Sequence, residues 1–217
     1  MNSTAELIAA IRQGECVILL DDANRENEGD FVMAAEAVTP EHINFMITHG
    51  RGLVCMPMCV AQAQRLQLSL QHRHQTNVFG TKFLTSIEAA QGITTGTSTF
   101  DRARTIVTAG RADVDPMDIA TPGHVFPILA EEDGVLARRG HTEAACDLAR
   151  LAGYNPCGVV CEILNEDGTM ARLPELMLVA KKHGLKIGCI EDLVHYRLSE
   201  ASEQSVLVEK ETSMEVA

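Results

Sequence analysis

The sequence predicts an α+β fold, a single compact domain in which a mixed β-sheet is flanked by helices. Short apolar runs and amphipathic helical segments follow one another without the strict β–α alternation of a doubly wound fold. The 217 residues are enough for one domain, and 46% hydrophobic residues can fill its core. We expect residues 1–200 to form this domain and the acidic tail 201–217, which has no periodic pattern, to be frayed.

The first third of the chain carries clear start and stop signals. An amphipathic helix is predicted over residues 4–13, capped by Ser3 or Thr4 and ended by Gly14. Strands are predicted at "CVILL" (16–20), "DFVMAAE" (30–36) and "GLVCMPM" (52–58).

Another helix is predicted between the second and third of these strands. Thr39 is its N-cap, Pro40 occupies the first helical position and Gly50 follows its end. A shorter helix is predicted over 60–68. Residues 71–82 are polar and unpatterned, which predicts a mobile loop, and the alternation over 83–89 predicts a strand.

The second half of the chain begins with a Thr/Gly-rich loop and a helix, which together span 94–110. Residues 121–141 contain two prolines and two turn signals, so we expect short strands and loops there. The remaining predicted elements are helices over 141–153, 173–184 and 191–200, a hairpin turning at Asp167-Gly168, and a strand over 185–190.

Charge and cysteine content restrict the class of partner. A formal net charge of -12 argues against nucleic acid, because phosphate contacts need a basic face, but a small phosphorylated substrate needs only a few local cations. The seven cysteines contain no C-x-x-C pair, which indicates reduced thiols in a cytoplasmic protein. No signal peptide and no run of transmembrane length is recognised, so no membrane association is predicted.

Residues 21–30, "DDANRENEGD", place five carboxylates and one arginine directly after an apolar strand. Glu26, Glu28 and Asp30 are spaced by two, so in an extended segment they would converge on one side. Converging carboxylates repel one another unless a cation lies among them, and oxygen ligands suit magnesium. Arg25 could hold a substrate oxygen. The alternative interpretation is a solvated surface loop, which is what charge runs usually are.

A second candidate site lies at the start of the helix predicted from residue 141. Arg138, Arg139 and Gly140 precede His141, and Thr142 is the expected cap. A helix N-terminus with two arginines suits a phosphate monoester. His141 could be a metal ligand or an acid/base, or simply an ordinary residue at a helix start.

Two further residues are unusual in their surroundings. Glu162 lies within an apolar strand, where an unpartnered carboxylate is costly, so it has a partner, a strand-end position or a function. His124 lies in "TPGHVFP". As for His141, the alternative interpretation is an ordinary histidine without a functional role.

The acidic loop and several other motifs closely resemble the 3,4-dihydroxy-2-butanone 4-phosphate synthase family of riboflavin biosynthesis. These motifs are "HGRGLVC", "FGTKF", "IEAAQGITTGTSTFDR", "TPGHVFP", "RRGHTEAACDLARLAG" and "GVVCEILNEDGTMAR". The resemblance covers nearly all of residues 4–197, in order. It implies a homodimer with active sites near the subunit interface, which converts D-ribulose 5-phosphate to 3,4-dihydroxy-2-butanone 4-phosphate and formate. It further implies Mg²⁺, or Mn²⁺, and no organic cofactor.

The resemblance also implies residue roles. Glu26 and His141 would be the metal ligands. The substrate-binding residues would be Arg25, Glu26, Asp30, Thr95, Arg138, Arg139, Gly140, His141 and Thr142. Glu28, Asp30, His124 and Glu162 would be catalytic, and Cys55 would lie near the site.

Some positions depart from the family pattern. Ala23 and Asn24 replace two acids of the loop, and Arg139 stands where a small residue is frequent. The zinc–cysteine cluster of the GTP cyclohydrolase II domain that many relatives carry is lacking, so that second activity is expected to be absent. The rival functions are a metal-dependent sugar-phosphate phosphatase and a non-enzymatic ion- or nucleotide-binding module.

Overall fold

The computed structural model describes residues 1–71 and 79–200 of the chain. The predicted frayed tail 201–217 lies wholly outside the described residues, and the predicted mobile loop 71–82 lies mostly outside them. Among the helices that are described, none has both the length and the apolar character needed to cross a membrane.

A seven-stranded mixed sheet forms the centre of the fold. Its strands are β1 (Val17–Leu20), β2 (Gly29–Ala34), β3 (Cys55–Met58), β4 (Ile87–Ala89), β5 (Ile119–Leu129), β6 (Gly158–Glu162) and β7 (Lys186–Cys189). Their order is β4-β5-β3-β6-β2-β1-β7. The pairs β1–β7 and β3–β5 are parallel and the others are antiparallel, which confirms the predicted mixed sheet.

Helices cover both faces of this sheet. They are α1 (Thr4–Arg12), α2 (Pro40–Phe45), α3 (Val60–Arg65), α4 (Thr99–Gly110), α5 (His141–Leu151), α6 (Leu173–His183) and α7 (190–200). Alternate residues of a strand point to opposite faces. Val17 and Leu19 therefore pack with α1, α5 and α7, whereas Ile18 and Leu20 pack with α2, α3, α4 and α6.

Several predicted helix boundaries are confirmed by their caps. Ser3 forms a capping box at the start of α1, and Thr39 accepts a hydrogen bond from a backbone N–H in the first turn of α2. α2 continues directly into a π-helical turn, Met46–Gly50. Gly184 ends α6 in the left-handed conformation, with a φ of 68°. Capping residues act on backbone groups close to them in the chain, so these helix ends can be predicted from the sequence.

The prediction of short strands and loops over 121–141 was wrong in its first half. β5 is one eleven-residue strand, and its first half is largely exposed. The register with β4 shifts between Ile87 and Glu88, so the strand accommodates Pro122 and Gly123 at an irregularity. Proline and glycine indicated a break in the chain, but here they mark an irregularity in the pairing of β5 with the edge strand β4.

Other elements are also shorter than predicted, including β3, which begins at Cys55, and α3, which ends at Arg65. Of the strand expected over 83–89, Ile87–Ala89 forms β4. The hairpin turn at Asp167-Gly168 is present, but its second arm is reduced to a single bridge between Leu164 and Met170.

Candidate active site

A cavity of about 220 Å³ opens beside β2 and β6, under the start of α5. Most of the residues predicted to form the site line it together. They are Arg25, Glu26, Glu28, Asp30, Cys55, Arg138, His141, Thr142 and Glu162. The acidic loop and the start of α5 are thus two sides of one site.

The register of the sheet brings two of the carboxylates together. Asp30 of β2 is directly opposite Glu162 of β6, and directly opposite residues project from the same face. Leu19 of β1 is opposite Asp30 on the other side. The Oε2 atom of Glu162 accepts a hydrogen bond from the Leu53 N–H at 2.8 Å, so this carboxylate has the partner that a strand glutamate requires.

Asp21 organises the acidic loop. Its buried carboxylate accepts hydrogen bonds from the backbone N–H groups of Glu26 (3.0 Å) and Glu28 (2.8 Å). It also accepts one from Arg25 at 2.9 Å, and Arg25 in turn contacts the Glu26 carboxylate at 2.6 Å. The loop therefore has a defined conformation rather than being a freely solvated charge run.

A second contact holds the loop from α6. Arg172, the N-cap of α6, donates to the carbonyl of Glu26 at 2.9 Å and to that of Asn27. Asn27 has a φ of 56°, the left-handed conformation that asparagine tolerates better than most residues. The chain reverses here, and Glu26 and Glu28 both reach the cavity.

His141 faces the carboxylates with one ring nitrogen and the sheet with the other. Its Nε2 lies 3.0 Å from the Leu19 carbonyl, which can only accept, so Nε2 carries a proton. Its Nδ1 lies 3.9 Å from carboxylate oxygens of both Glu26 and Asp30. Nδ1 is therefore the atom available to a ligand.

Burial and mutual charge shift the pKa values of this group. Burial raises the pKa of Asp30 to about 7 and also raises that of Glu28. Burial would lower the pKa of His141, but the carboxylates of Asp30, Glu26 and Asp21 outweigh it and raise that pKa to about 9. His141, with Arg25, lowers the pKa of Glu26.

The donor set fits a divalent cation. Asp21, Glu26 and His141 each offer one ligand atom, and these atoms lie within 4.8 Å of one another. The Asp30 Oδ1 atom is buried and has no hydrogen-bond partner among the described residues. Carboxylate oxygens and an imidazole suit Mg²⁺ or Mn²⁺, and a cation would relieve the repulsion between these acids.

Arg138 also lines the cavity and brings a guanidinium group to it. It contacts the Oε2 atom of Glu143 at 2.6 Å and donates to the Phe79 carbonyl at 3.1 Å. Gly140 is the N-cap of α5, so the expectation that Thr142 caps this helix was wrong, because Thr142 lies inside its first turn. A Cβ at Gly140 would collide with the Arg138 guanidinium. The arginine and the start of the helix together offer N–H donors that an anion could use.

Four predicted site residues are not among the residues that line this cavity, namely Gly140, which is the N-cap of α5, and Arg139, His124 and Thr95. Arg139 is exposed and paired with Glu191 at 2.5 Å. His124 lies on β5, where it contacts Glu88, and Thr95 lies in the loop between β4 and α4. Within one chain, the structure does not bring His124 or Thr95 to the cavity.

The sequence interpretation missed three carboxylates, namely Asp21, Glu88 and Glu143. Asp21 could have been recognised as the first acid after a buried strand. Glu143 is buried on α5 and holds Arg138, so an acid in the first turn of a helix next to an arginine was a usable signal. Cys55 lies in the cavity wall, and burial raises the pKa of its thiol, so it is not an activated nucleophile.

Comparison with known proteins gives the same family that the motifs resemble. A family model described as 3,4-dihydroxy-2-butanone 4-phosphate synthase matches residues 5–196. The 3,4-dihydroxy-2-butanone 4-phosphate synthase of Pseudomonas aeruginosa is 58% identical over 198 residues, which are 91% of this chain and 54% of that protein. The riboflavin biosynthesis protein RibBA of Aquifex aeolicus is 53% identical over 214 residues, 98% of this chain and 52% of that protein. The chain spans about half the length of the curated relatives it matches.

A solved structure shares the fold over nearly its whole length. It is a 3,4-dihydroxy-2-butanone 4-phosphate synthase in complex with two magnesium ions, 38% identical, with a TM-score of 0.87. The match covers 92% of this chain and 99% of that one.

Proposed function

Because the chain belongs to the 3,4-dihydroxy-2-butanone 4-phosphate synthase family, we propose that it converts D-ribulose 5-phosphate to 3,4-dihydroxy-2-butanone 4-phosphate and formate. It would be a lyase of riboflavin biosynthesis. The observation that carries this proposal is a single cavity that joins the acidic loop, His141 and Arg138. Such a cavity offers one small sugar phosphate a cation site, acid and base groups, and N–H donors for its phosphate group.

Glu26 and His141 hold the divalent cation in this proposal, Mg²⁺ or Mn²⁺, and no organic cofactor takes part. When bound, such an ion supplies positive charge beside the substrate oxygens and favours loss of a proton from a neighbouring carbon. Asp21 holds Glu26 in place through its contacts to the loop backbone and to Arg25.

The phosphate binds at the start of α5. Arg138, held by Glu143, and the free backbone N–H groups that follow Gly140 face the cavity from this side. Arg25 lines the same cavity and contacts substrate oxygens in this proposal. Binding far from the reacting carbons fixes their position relative to the acids.

The remaining carboxylates transfer protons in this proposal. Glu28, Asp30 and Glu162 line the cavity, and the reaction requires a group that both accepts and donates protons near neutral pH. A pKa of about 7 suits Asp30 to both roles. His124 is the fourth catalytic residue of this proposal.

A homodimer accounts for the residues that lie away from the cavity. His124 and Thr95 line no part of the cavity of their own chain. A second copy therefore presents them to it, and each site combines the acidic loop of one subunit with the β5 histidine of the other. We place this dimer in the cytoplasm.

Formate release tests the proposed function. Purified protein with D-ribulose 5-phosphate and Mg²⁺ should release formate, and EDTA should abolish the release. Glu26→Gln should lower the rate of formate release by about 100-fold or more, because it removes a metal ligand and not merely a residue that orients one. The matched control is Asp22→Asn in the same loop, an exposed position, which should stay within about 2-fold of wild type.

Each rival function has its own outcome in this assay. Inorganic phosphate without formate would identify a phosphatase. Neither product, with Mg²⁺ still bound, would identify a binding module. Formate release that is insensitive to both EDTA and Glu26→Gln would refute the acidic loop as the cation site.

A further inference from the structure

Glu88 and His124 form a side-chain pair between the edge strand β4 and its neighbour β5. Glu88 lies on β4 and His124 on β5, just where the register between the strands shifts. The Oε1 atom of Glu88 contacts the Nδ1 atom of His124. The glutamate side chain is 20% exposed and the histidine side chain 48% exposed, so the acid is covered while the imidazole remains accessible.

The contact identifies which nitrogen of the neutral imidazole carries the proton. An ionised carboxylate accepts hydrogen bonds and cannot donate them, so the Nδ1 atom that faces Glu88 is the protonated one. The Nε2 atom is then unprotonated and free to accept a proton from another molecule. A carboxylate that orients a histidine in this way is a common support of acid/base and metal-binding imidazoles.

The loop before α4 encloses the pair from one side. Gly96 has a φ of 88°, and a Cβ there would overlap both Glu88 Oε1 and His124 Nδ1. Asp101 holds this loop, because its carboxylate accepts from the Thr94 N–H (3.0 Å), the Thr94 hydroxyl (2.7 Å) and the Gly96 N–H (3.0 Å). The position of the pair therefore depends on several specific contacts.

β5 itself encloses the pair from the other side. A Cβ at Gly123 would overlap the backbone of Ile87 and the Cγ atom of Glu88. The Gly123 N–H donates to the Ser86 hydroxyl at 3.1 Å. The two strands approach so closely at this point that Glu88 has little room to leave His124.

We propose that Glu88 is a positioning residue of the reaction, which holds His124 in the orientation and tautomer that leave Nε2 free for proton transfer. This inference rests on the proposed function, in which His124 acts on the substrate. Glu88 acts through the histidine and does not touch the reacting atoms.

A double-mutant comparison tests the coupling. Glu88→Gln keeps the shape of the side chain, but its amide can donate to Nδ1 and so favour the other tautomer. It should lower kcat for formate release by about 10-fold and leave KM within about 2-fold. This is the effect expected when a residue that orients a catalytic histidine, but does not contact the substrate, is replaced. His124→Ala should lower kcat by about 100-fold or more.

The decisive comparison is Glu88→Gln in the His124→Ala background. No further loss of kcat would support the inference, because the glutamate would then have no histidine to position. The same fold loss in both backgrounds would overturn it, since that is the result of a merely structural role. Glu132→Gln, at an exposed turn position, is the control for loss of one negative charge and should leave kcat unchanged.

Nitrogen NMR of the histidine gives a readout that needs no turnover. Long-range ¹H–¹⁵N spectra of the protein should show His124 with its proton on Nδ1 in wild type and a shift toward Nε2–H in Glu88→Gln. An unchanged tautomer in the variant would overturn the inference. A wild-type protein that released no formate would refute the proposed function, while the Glu88-dependent tautomer would still be measurable.

Discussion

Asp30 and His141 show how burial and charge together set the protonation of the cavity. Both are buried, yet burial raises the pKa of Asp30 to about 7, whereas the nearby carboxylates raise that of His141 to about 9. At neutral pH the histidine is therefore mainly cationic and stabilises the acids around it. A divalent cation must displace this proton to use Nδ1, because only an unprotonated imidazole nitrogen binds a metal.

Cys59 is predicted to be the thiol that reacts first with alkylating reagents. A hydrogen bond from Cys157, with backbone N–H groups of α3, lowers its pKa to about 6, and the residue is half-buried. It is thiolate above that pH, so its alkylation rate should be nearly constant from pH 7 to 8. The rate should fall about 10-fold per unit as pH drops well below 6.

Mass spectrometry of iodoacetamide-treated protein measures this rate. Cys189 is the internal control, because it is also half-buried but burial raises its pKa. Equal labelling of the two cysteines across the pH range would contradict the prediction, and Cys59→Ser should remove the fast phase.

At the scale of elements, the loop between β4 and α4 depends on the conformation of single glycines. Gly96→Ala should lower kcat for formate release by about 10-fold or more, because the new Cβ overlaps both members of the Glu88–His124 pair. Gly92→Ala is the matched control: its φ of 77° is equally strained, but its Cβ would make ordinary contacts with Arg104.

Both glycine variants should lose stability by about 1–2 kcal/mol, since alanine tolerates a positive φ poorly. Denaturant unfolding measures that loss, and formate release separates the two variants. Equal kcat values for the two proteins would show that the space at Gly96 is not used by the pair.

The elements that were predicted well from the sequence are those whose ends are set by residues close to them in the chain. Ser3, Thr39 and Gly184 cap helices through neighbouring backbone groups, and the predicted and observed boundaries agree there to within a few residues. β5 was not predicted as one strand, because its continuity depends on pairing with β3 and β4, which are distant in sequence. Proline and glycine signals inside it were local and pointed to a break.

At the scale of the whole molecule, the cavity lies beside the central strands β2 and β6, while His124 lies on β5, next to the edge strand β4. Subunit complementation tests whether a second copy unites them. A heterodimer of Glu26→Gln and His124→Ala chains, purified through two different tags, should have one intact and one doubly altered site. A symmetric dimer then predicts about half of the wild-type activity.

The parent variants supply the controls for this experiment. Each homodimer should be nearly inactive, because both of its sites carry a defect. A heterodimer as inactive as its parents would place both residues in the same subunit. A monomer in light scattering would refute the dimer altogether.

The candidate site was predictable from the sequence where its residues are close along the chain. Residues 21–30 and 138–142 reach the cavity as two short segments, and the resemblance assigned them together. Glu88 could not be predicted in this way, because it meets His124 across 36 positions and through a register shift between strands. Asp21 and Glu143 were missed for a different reason, since neither lines the cavity and each is buried against an arginine that does, Arg25 and Arg138 respectively.

The pairing of Asp30 with Glu162 also determines which mutations in β2 and β6 are compatible with the fold. Both acids share their face of the sheet with Val32 and Val160, and the opposite face carries Phe31 and Cys161. A one-residue insertion or deletion in β2 or β6 would turn an acid into that apolar layer. Natural variants of this chain should therefore differ in these strands by replacement alone, with every change of length confined to the loops.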